Sequence, residues 1–276
     1  MTLEKWLVAP GHSKIIDVAL VRQLKVSLIA GKVDVIGHDE PGARVEVHSV
    51  SGKDLKIQMD GDTLEIDHPQ LRWDNFIEVF SSFRGSAQAD VSIMVPRDVA
   101  LKFGVVSADA LISGLANDAR LSTVSGDVTV DGCTGGLELN GVNGEFSVRN
   151  HTGTVSAHTV SGEITASGSI RRFSVDGVAG NVFLDVTGVP DRISTNTVSG
   201  NLTVRLAAEV AARYRINTVS GTIQLDDRTI RGTLGKGYTG TDGDLSGSWL
   251  ELNANSVSGD ISVVRRASET STEASA

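Results

Sequence analysis

Apolar and polar positions alternate along most of this chain, and the alternation itself recurs with a period of 18 residues. Steps of that length join five valines without a gap: Val106, Val124, Val142, Val160 and Val178. The phrase Thr-Val-Ser-Gly surrounds several of these valines and returns at Val198 and Val219, where the period lengthens to 20 and then 21 residues. A fixed period of about 20 residues is typical of a solenoid, whose units stack because none can bury its apolar face alone.

Each repeat has the pattern of β-strands rather than helices. β-Branched residues dominate, apolar and polar residues alternate, and glycines recur about every nine residues. Positions 18 residues apart form apolar columns, one of which is Ala110, Val128, Phe146, Ile164 and Val182. We predict an all-β fold: a single parallel β-solenoid of about 18–21 residues per coil, wound right-handed by the crossover rule. Coils with two or three sides both fit this period, and the glycine spacing favours two.

Residues 1–100 depart from the regular period and predict degenerate coils and an atypical N-terminal cap. Short alternating runs are separated there by turns rich in glycine, proline and aspartate. Residues 70–85 differ in kind, because four aromatic side chains follow one another at helical spacing: Trp73, Phe76, Phe80 and Phe83. Two interpretations stay open: a flap that buries this apolar face over the end of the solenoid, or an exposed docking surface for a partner.

The regular coils are predicted to span residues 101–264. Within them, residues 227–247 are rich in glycine and break the period, which predicts either a distorted coil or an excursion from the stack. The next copy of the phrase, at Val257, lies 38 residues after Val219, or roughly two periods. Residues 265–276 are mainly Ser, Thr, Glu and Ala and are predicted to form a disordered tail.

The charge of the chain limits its partners. Its 276 residues carry a formal net charge of −9, which disfavours nucleic acid and anionic membrane, and the basic residues do not cluster. No apolar run reaches the ~18 residues that a membrane-spanning helix needs, so we expect no membrane insertion. The first residues lack the apolar core of a secretory signal, and the sequence therefore predicts a cytoplasmic protein.

Candidate catalytic and metal-binding residues are few. Serines such as Ser125 and Ser161 recur once per coil within the repeated phrase, so structure explains them, and none lies in Gly-x-Ser-x-Gly. The six histidines and the single cysteine, Cys133, lack the spacing of a zinc site. We therefore predict no catalytic residue, no bound metal and no cofactor.

One acidic column follows the glycine of the repeated phrase on four successive coils: Asp109, Asp127, Glu145 and Glu163. Like charges that face each other on neighbouring strands are unfavourable. Such a column needs water, cations or a basic partner beside it. A well-solvated edge and a strip that binds cations or a basic ligand are the two interpretations.

The repeated phrase, in which Thr-Val-Ser-Gly precedes an Asp, Glu or Asn and then an apolar residue, resembles a bacterial family of β-strand repeats. The opening from Leu24 to Val35 carries the same resemblance, which covers residues 17–264. That family is catalogued as putative adhesins, or as a domain of unknown function. The resemblance implies a β-solenoid and transfers no catalytic residue.

These observations favour a non-enzymatic, intracellular β-solenoid that serves as a binding or scaffolding module with a protein partner. The polar solenoid faces and the aromatic segment are the candidate contact surfaces. One alternative is a surface-exposed adhesin that is exported without a recognisable signal. The other is a polysaccharide-active enzyme built on a β-helix, which rests on analogy of fold.

Overall fold

The computed structural model describes residues 4–68, 87–231 and 237–267, and the regular elements in these ranges are all β-strands. The first eleven strands are β1 (Glu4–Val8), β2 (Lys14–Val18), β3 (Gln23–His38), β4 (Ala43–Ser51), β5 (Leu55–Asp60), β6 (Thr63–Asp67), β7 (Gln88–Pro96), β8 (Ala100–Ser113), β9 (Ala119–Thr123), β10 (Val128–Asp131) and β11 (Thr134–Gly141). The others are β12 (Phe146–Thr159), β13 (Ile164–Gly177), β14 (Val182–Val186), β15 (Arg192–Thr197), β16 (Leu202–Leu206), β17 (Ala212–Thr218), β18 (Thr222–Leu225), β19 (Arg228–Arg231), β20 (Tyr238–Asp242), β21 (Leu250–Ser256) and β22 (Ile261–Arg265).

The strands form two rows, and each regular coil contributes one strand to each row. In space, the first row runs β1, β5, β6, β3, β8, β9, β11, β12, β13, β15, β21, β17 and β20. The second row runs β2, β4, β7, β3, β8, β10, β12, β13, β14, β16, β22, β18 and β19. Strands β3, β8, β12 and β13 pass through both rows. The chain is therefore all-β and β-solenoid-like.

The register of these pairs confirms the predicted apolar column. Phe146 lies directly opposite Val128 on one side and Ile164 on the other, and Ala110 and Val182 extend the column. All five side chains are buried in one continuous core. Equivalent side chains thus stack at an interstrand spacing of about 4.8 Å.

The prediction of a uniformly parallel stack holds only for the middle of the molecule. At the N-terminal end, β1 pairs antiparallel with β5, β2 with β4, β4 with β7, and β5 with β6. At the other end, β20 and β19 pair antiparallel with β17 and β18. Such chain reversals end the parallel stack and keep a further parallel coil from adding in the same register.

The last coil in the sequence is not the last coil in space. Strand β21 lies between β15 and β17, and β22 lies between β16 and β18. Residues 250–265 are therefore inserted between the coil of residues 192–206 and the coil of residues 212–225. The interval of 38 residues between Val219 and Val257 is not two stacked periods, and the glycine-rich stretch is an excursion that carries β19 and β20.

The predicted tail begins later than the sequence indicates. Arg265 ends β22, and both Arg265 and Arg266 form ion pairs, with Asp226 and Asp185 respectively. These two residues are therefore part of the folded stack. Residues 268–276 lie outside the described residues. So does the aromatic segment with its candidate contact residues Trp73, Phe76, Phe80 and Phe83.

Candidate binding groove

The repeated phrase builds a tight corner between the two strand rows. The hydroxyl of Thr159 accepts a hydrogen bond from the backbone N–H of Gly162 at 3.0 Å, and the corner two coils away has the same bond, from Gly126 to Thr123. The hydroxyl of Ser161 donates to the carbonyl of Val142 on the adjacent coil at 3.1 Å. The hydrogen-bonding groups of the threonine, serine and glycine of the phrase are thus used within the fold, as predicted for the serines.

In five coils the valine of the phrase lies outside the core and points to solvent, whereas Val124 is buried. These five valines, on five spatially successive coils, are between 47% and 50% exposed: Val160, Val178, Val198, Val257 and Val219. We call this set the valine ridge. The ridge is a continuous apolar line on the surface. Polar side chains would fit these exposed corner positions equally well, so a line of valines there is unusual.

A column of polar side chains runs parallel to the ridge, two residues before each valine. Asn196 donates from Nδ2 to Oδ1 of Asp176 at 2.8 Å, and Asn255 donates to Oδ1 of Asn196 at 2.9 Å. Asn217 donates in turn to Oδ1 of Asn255 at 2.9 Å. At the other end, Nε2 of His158 lies 3.7 Å from Oδ2 of Asp176. We call these five residues the polar ladder.

Surface cavities lie between the ridge and the ladder. One, of about 550 Å³, is lined by ladder and corner residues from Arg120 to Asp176, and another, of about 390 Å³, continues from Asp176 to Asn217. Because both include Asp176, they form one groove, which we call the ladder groove. Its floor consists of small side chains: Gly141, Thr159, Gly177, Thr197 and Ser256. The positions from Ser122 to Asn217 occupy seven coils, or about 29 Å along the stack.

The two halves of the ladder groove differ in charge. The half near the middle of the stack contains Arg120, His158 and Asp176. The other half contains amides, hydroxyls and valines, and Asp176 at the junction is its one titratable side chain among the described lining residues. The groove therefore has one charged half and one uncharged half that is lined by amides.

The acidic column is an exposed edge with a structural role in the fold. Oδ1 of Asp109 accepts a hydrogen bond from the backbone N–H of Asp127 at 3.2 Å, and Oδ1 of Asp127 accepts one from the N–H of Glu145. Further along the stack, Asn201 and Asp260 continue the same bonding. The carboxylates thus satisfy backbone donors at the corner, and Glu163 extends the exposed column.

The buried titratable groups lie outside the groove. Burial lowers the pKa of His68 to about 4, and its Nδ1 accepts a hydrogen bond from the N–H of Ile29 at 3.3 Å. Burial also lowers the pKa of His151 and raises the pKa of the Cys133 thiol. These groups are neutral near pH 7, and within the described ranges no three potential ligands converge on a metal position.

Sequence reasoning missed the ladder groove. The five ladder residues are not among its candidate contact residues, because the period alone does not show whether side chains on neighbouring coils bond to one another. The signal was present, because the period places asparagine or aspartate at equivalent positions on neighbouring coils.

A family model described as Toastrack DUF4097 matches residues 21–264, and the chain belongs to this family. Among curated proteins, none matches the chain. No helix in the described ranges is long and apolar enough to cross a membrane.

Several solved structures resemble this chain. A "putative lipid binding protein" from Parabacteroides distasonis is 14% identical, with 94% of this chain and 98% of that chain covered and a TM-score of 0.53. A "putative adhesin" from the same organism is 13% identical, with 94% and 97% covered and a TM-score of 0.41. A "putative cell adhesion protein" from Clostridium sporogenes is 14% identical, with 96% and 99% covered and a TM-score of 0.32. The first of these likenesses shows the fold alone.

Proposed function

We propose that this member of the Toastrack DUF4097 family is a non-enzymatic binding or scaffolding module, and that the ladder groove holds its ligand. The observation that carries the proposal is the valine ridge. Five half-exposed valines in line with a column of uncharged amides form an amphiphilic surface. Lines of exposed apolar side chains mark interaction sites more often than the rest of a protein surface.

The use of the polar residues supports a binding role over a catalytic one. A hydrolase of the serine type needs a free hydroxyl beside a base, and the serines of the phrase donate their hydroxyl hydrogens to backbone carbonyls. His158 is an exposed side chain beside an exposed carboxylate, in an open groove rather than in a water-excluding cleft. A polysaccharide-active enzyme is the weaker alternative because glycoside hydrolysis uses a pair of carboxyl groups, and Asp176 is the one carboxylate among the described residues that line the groove.

The proposal also covers the cellular location of the protein and the handedness of its coils. We propose that the module works inside the cell as a scaffold; a surface-exposed adhesin is the alternative. The coils are taken to wind right-handed, because crossover connections between parallel strands almost always do.

The test is retention of partners from a lysate of the source cell on the immobilised full chain. The comparison is between wild type, Val198→Asp in the ridge, and Thr203→Asp on the second strand row of the same coil. We expect Val198→Asp to lose the partners and Thr203→Asp to keep them. Equal retention by all three proteins would reject the groove, and recovery of the protein only from outside the cell would reject the intracellular scaffold.

A further inference from the structure

We infer that the ladder groove binds an uncharged, extended polyhydroxylated chain, that is, a neutral linear glycan whose axis runs along the stack. This inference rests on the proposed function and narrows it to one ligand class. Four properties of the groove point to that class: its residual hydrogen-bonding capacity, its apolar wall, its charge and its spacing.

Each asparagine of the ladder keeps hydrogen-bonding capacity for a ligand. A carboxamide has two N–H donors and two acceptor lone pairs. Asn196 uses one donor on Asp176 and one lone pair on Asn255, and Asn255 uses one donor on Asn196 and one lone pair on Asn217. One donor and one acceptor remain on each of these exposed amides. A hydroxyl group both donates and accepts, so a chain of hydroxyl-bearing units matches this surface at every coil.

The opposite wall of the groove is apolar. Val198 and Val257 line the groove together with the amides Asn196 and Asn255, which lie two residues earlier in the same coils, and each valine is about half exposed. A pyranose ring presents C–H groups on its faces and hydroxyls at its rim. Such a ring can therefore contact a valine and an amide of the same coil at once.

The half of the ladder groove beyond Asp176 offers no charged side chain to an ionic polymer among its described lining residues. From Gly177 to Asn217 the cavity lining is uncharged apart from Asp176, and the whole chain carries a net charge of −9. A polyanion would approach an acidic protein and meet a carboxylate in the groove. A polycation would find one carboxylate along four coils. A neutral chain is not repelled by the acidic protein and does not depend on a single carboxylate for attraction.

The spacing of the ladder distinguishes a glycan from an extended peptide. The coils repeat at about 4.8 Å, whereas an extended peptide advances about 3.3 Å per residue and drifts out of register within two coils. A β-1,4-linked chain of pyranose rings is extended and advances by close to one coil spacing per ring. Successive rings can therefore repeat the same contacts along the groove.

The experiment is isothermal titration calorimetry of the full chain with cellohexaose, xylohexaose and mannohexaose, and with polygalacturonate as the charged counterpart. We expect at least one neutral hexasaccharide to bind in the millimolar range or tighter, and polygalacturonate not to bind. Asn255→Leu removes a donor and an acceptor at nearly constant volume and should weaken binding about 10- to 100-fold. Val198→Asp, at a half-exposed position that cannot disturb the core, should weaken it as well. Thr203→Leu on the second row is the matched control and should leave the affinity unchanged.

The outcomes separate this inference from the proposed function. If groove substitutions abolish partner retention while no neutral glycan binds at millimolar concentration, the glycan inference is overturned and the groove stands as a site for another ligand. If neither glycan binding nor a groove-dependent partner is found, both fail. A glycan that binds wild type, Asn255→Leu and Val198→Asp equally would overturn the inference too, because its site would lie elsewhere.

Discussion

Asn255 donates a hydrogen bond to Asn196 at 2.9 Å, although 59 residues of chain separate the two. The next amide of the ladder, Asn217, bonds to Asn255 and not to Asn196, to which it is nearer in sequence. The ladder thus follows the order of the coils in space. The inserted coil of residues 250–265 completes the uncharged half of the groove, so the ligand-binding surface forms only when the last part of the chain is in place.

Arg265 holds the inserted coil to the end of the stack. Its side chain is only 15% exposed and contacts Asp226, Asp242 at 3.0 Å and the hydroxyl of Tyr214 at 3.1 Å. Because Asp226 and Asp242 are 36% and 58% exposed and water can solvate them, we expect Arg265→Ala to lower the free energy of unfolding by about 1–2 kcal/mol. Urea denaturation measures the change.

The matched control for Arg265 is Arg171, whose ion pair with Asp191 joins two exposed side chains. Arg171→Ala should change the free energy of unfolding by less than about 0.5 kcal/mol, because exposed pairs contribute little. Equal effects of the two substitutions would mean that Arg265 does not hold the inserted coil.

The glycine corners tolerate no side chain. A Cβ on Gly162 would lie 2.1 Å from the carbonyl oxygen of Gly144 on the neighbouring coil, and this obstacle is backbone rather than a flexible side chain. Gly162→Ala should therefore lower the free energy of unfolding by about 2–3 kcal/mol or more. Gly247→Ala, where a Cβ meets nothing within 4 Å, should change it by less than about 0.5 kcal/mol. A small effect at Gly162 in urea denaturation would contradict the close approach of the corners.

The sequence predicted the stack but not its order. The column through Val128, Phe146 and Ile164 follows from the period, because side chains that recur at the same place must stack if each coil is to bury its apolar side. The period does not predict which of two similar coils lies next to a third. Asn217 and Asn255 each precede a copy of the phrase, so either could follow Asn196. Strands β20 and β19 pair with the outer edges of β17 and β18, and β21 and β22 therefore lie on the inner side of that coil.

The buried His68 makes stability depend on pH. Its pKa is about 4 in the folded protein and about 6.5 in an unfolded chain, so the unfolded state binds the proton first. The stabilisation is complete above pH 6.5, declines as the pH falls towards 4, and amounts to about 3 kcal/mol in total. Burial also lowers the pKa of His151, which acts in the same direction. Burial raises the pKa of Asp67, which acts in the opposite direction at the acidic end.

His68→Asn tests this dependence, because the amide oxygen of asparagine can accept the N–H of Ile29 in place of Nδ1. The slope of unfolding free energy against pH between 6.5 and 4 should become shallower by up to about 1.4 kcal/mol per pH unit. His12→Asn, at an exposed position, should leave the slope as in wild type. An unchanged slope in His68→Asn would show that His68 is not the group that titrates.

The order of the coils can be tested directly with engineered disulfides. Ser194 lies opposite Asn253, and Asn253 lies opposite Arg215. A strand pair at about 4.8 Å is within reach of a disulfide, whose Cα atoms are usually about 4.4–6.8 Å apart, whereas residues two coils apart are not.

Ser194→Cys with Asn253→Cys should therefore crosslink under mild oxidation, and Ser194→Cys with Arg215→Cys should not. The native Cys133 is buried and does not compete. Non-reducing electrophoresis and peptide mass spectrometry identify the bond. If the coils stacked in sequence order, the second pair would crosslink and the first would not, and Asn217 rather than Asn255 would be the central amide of the ladder.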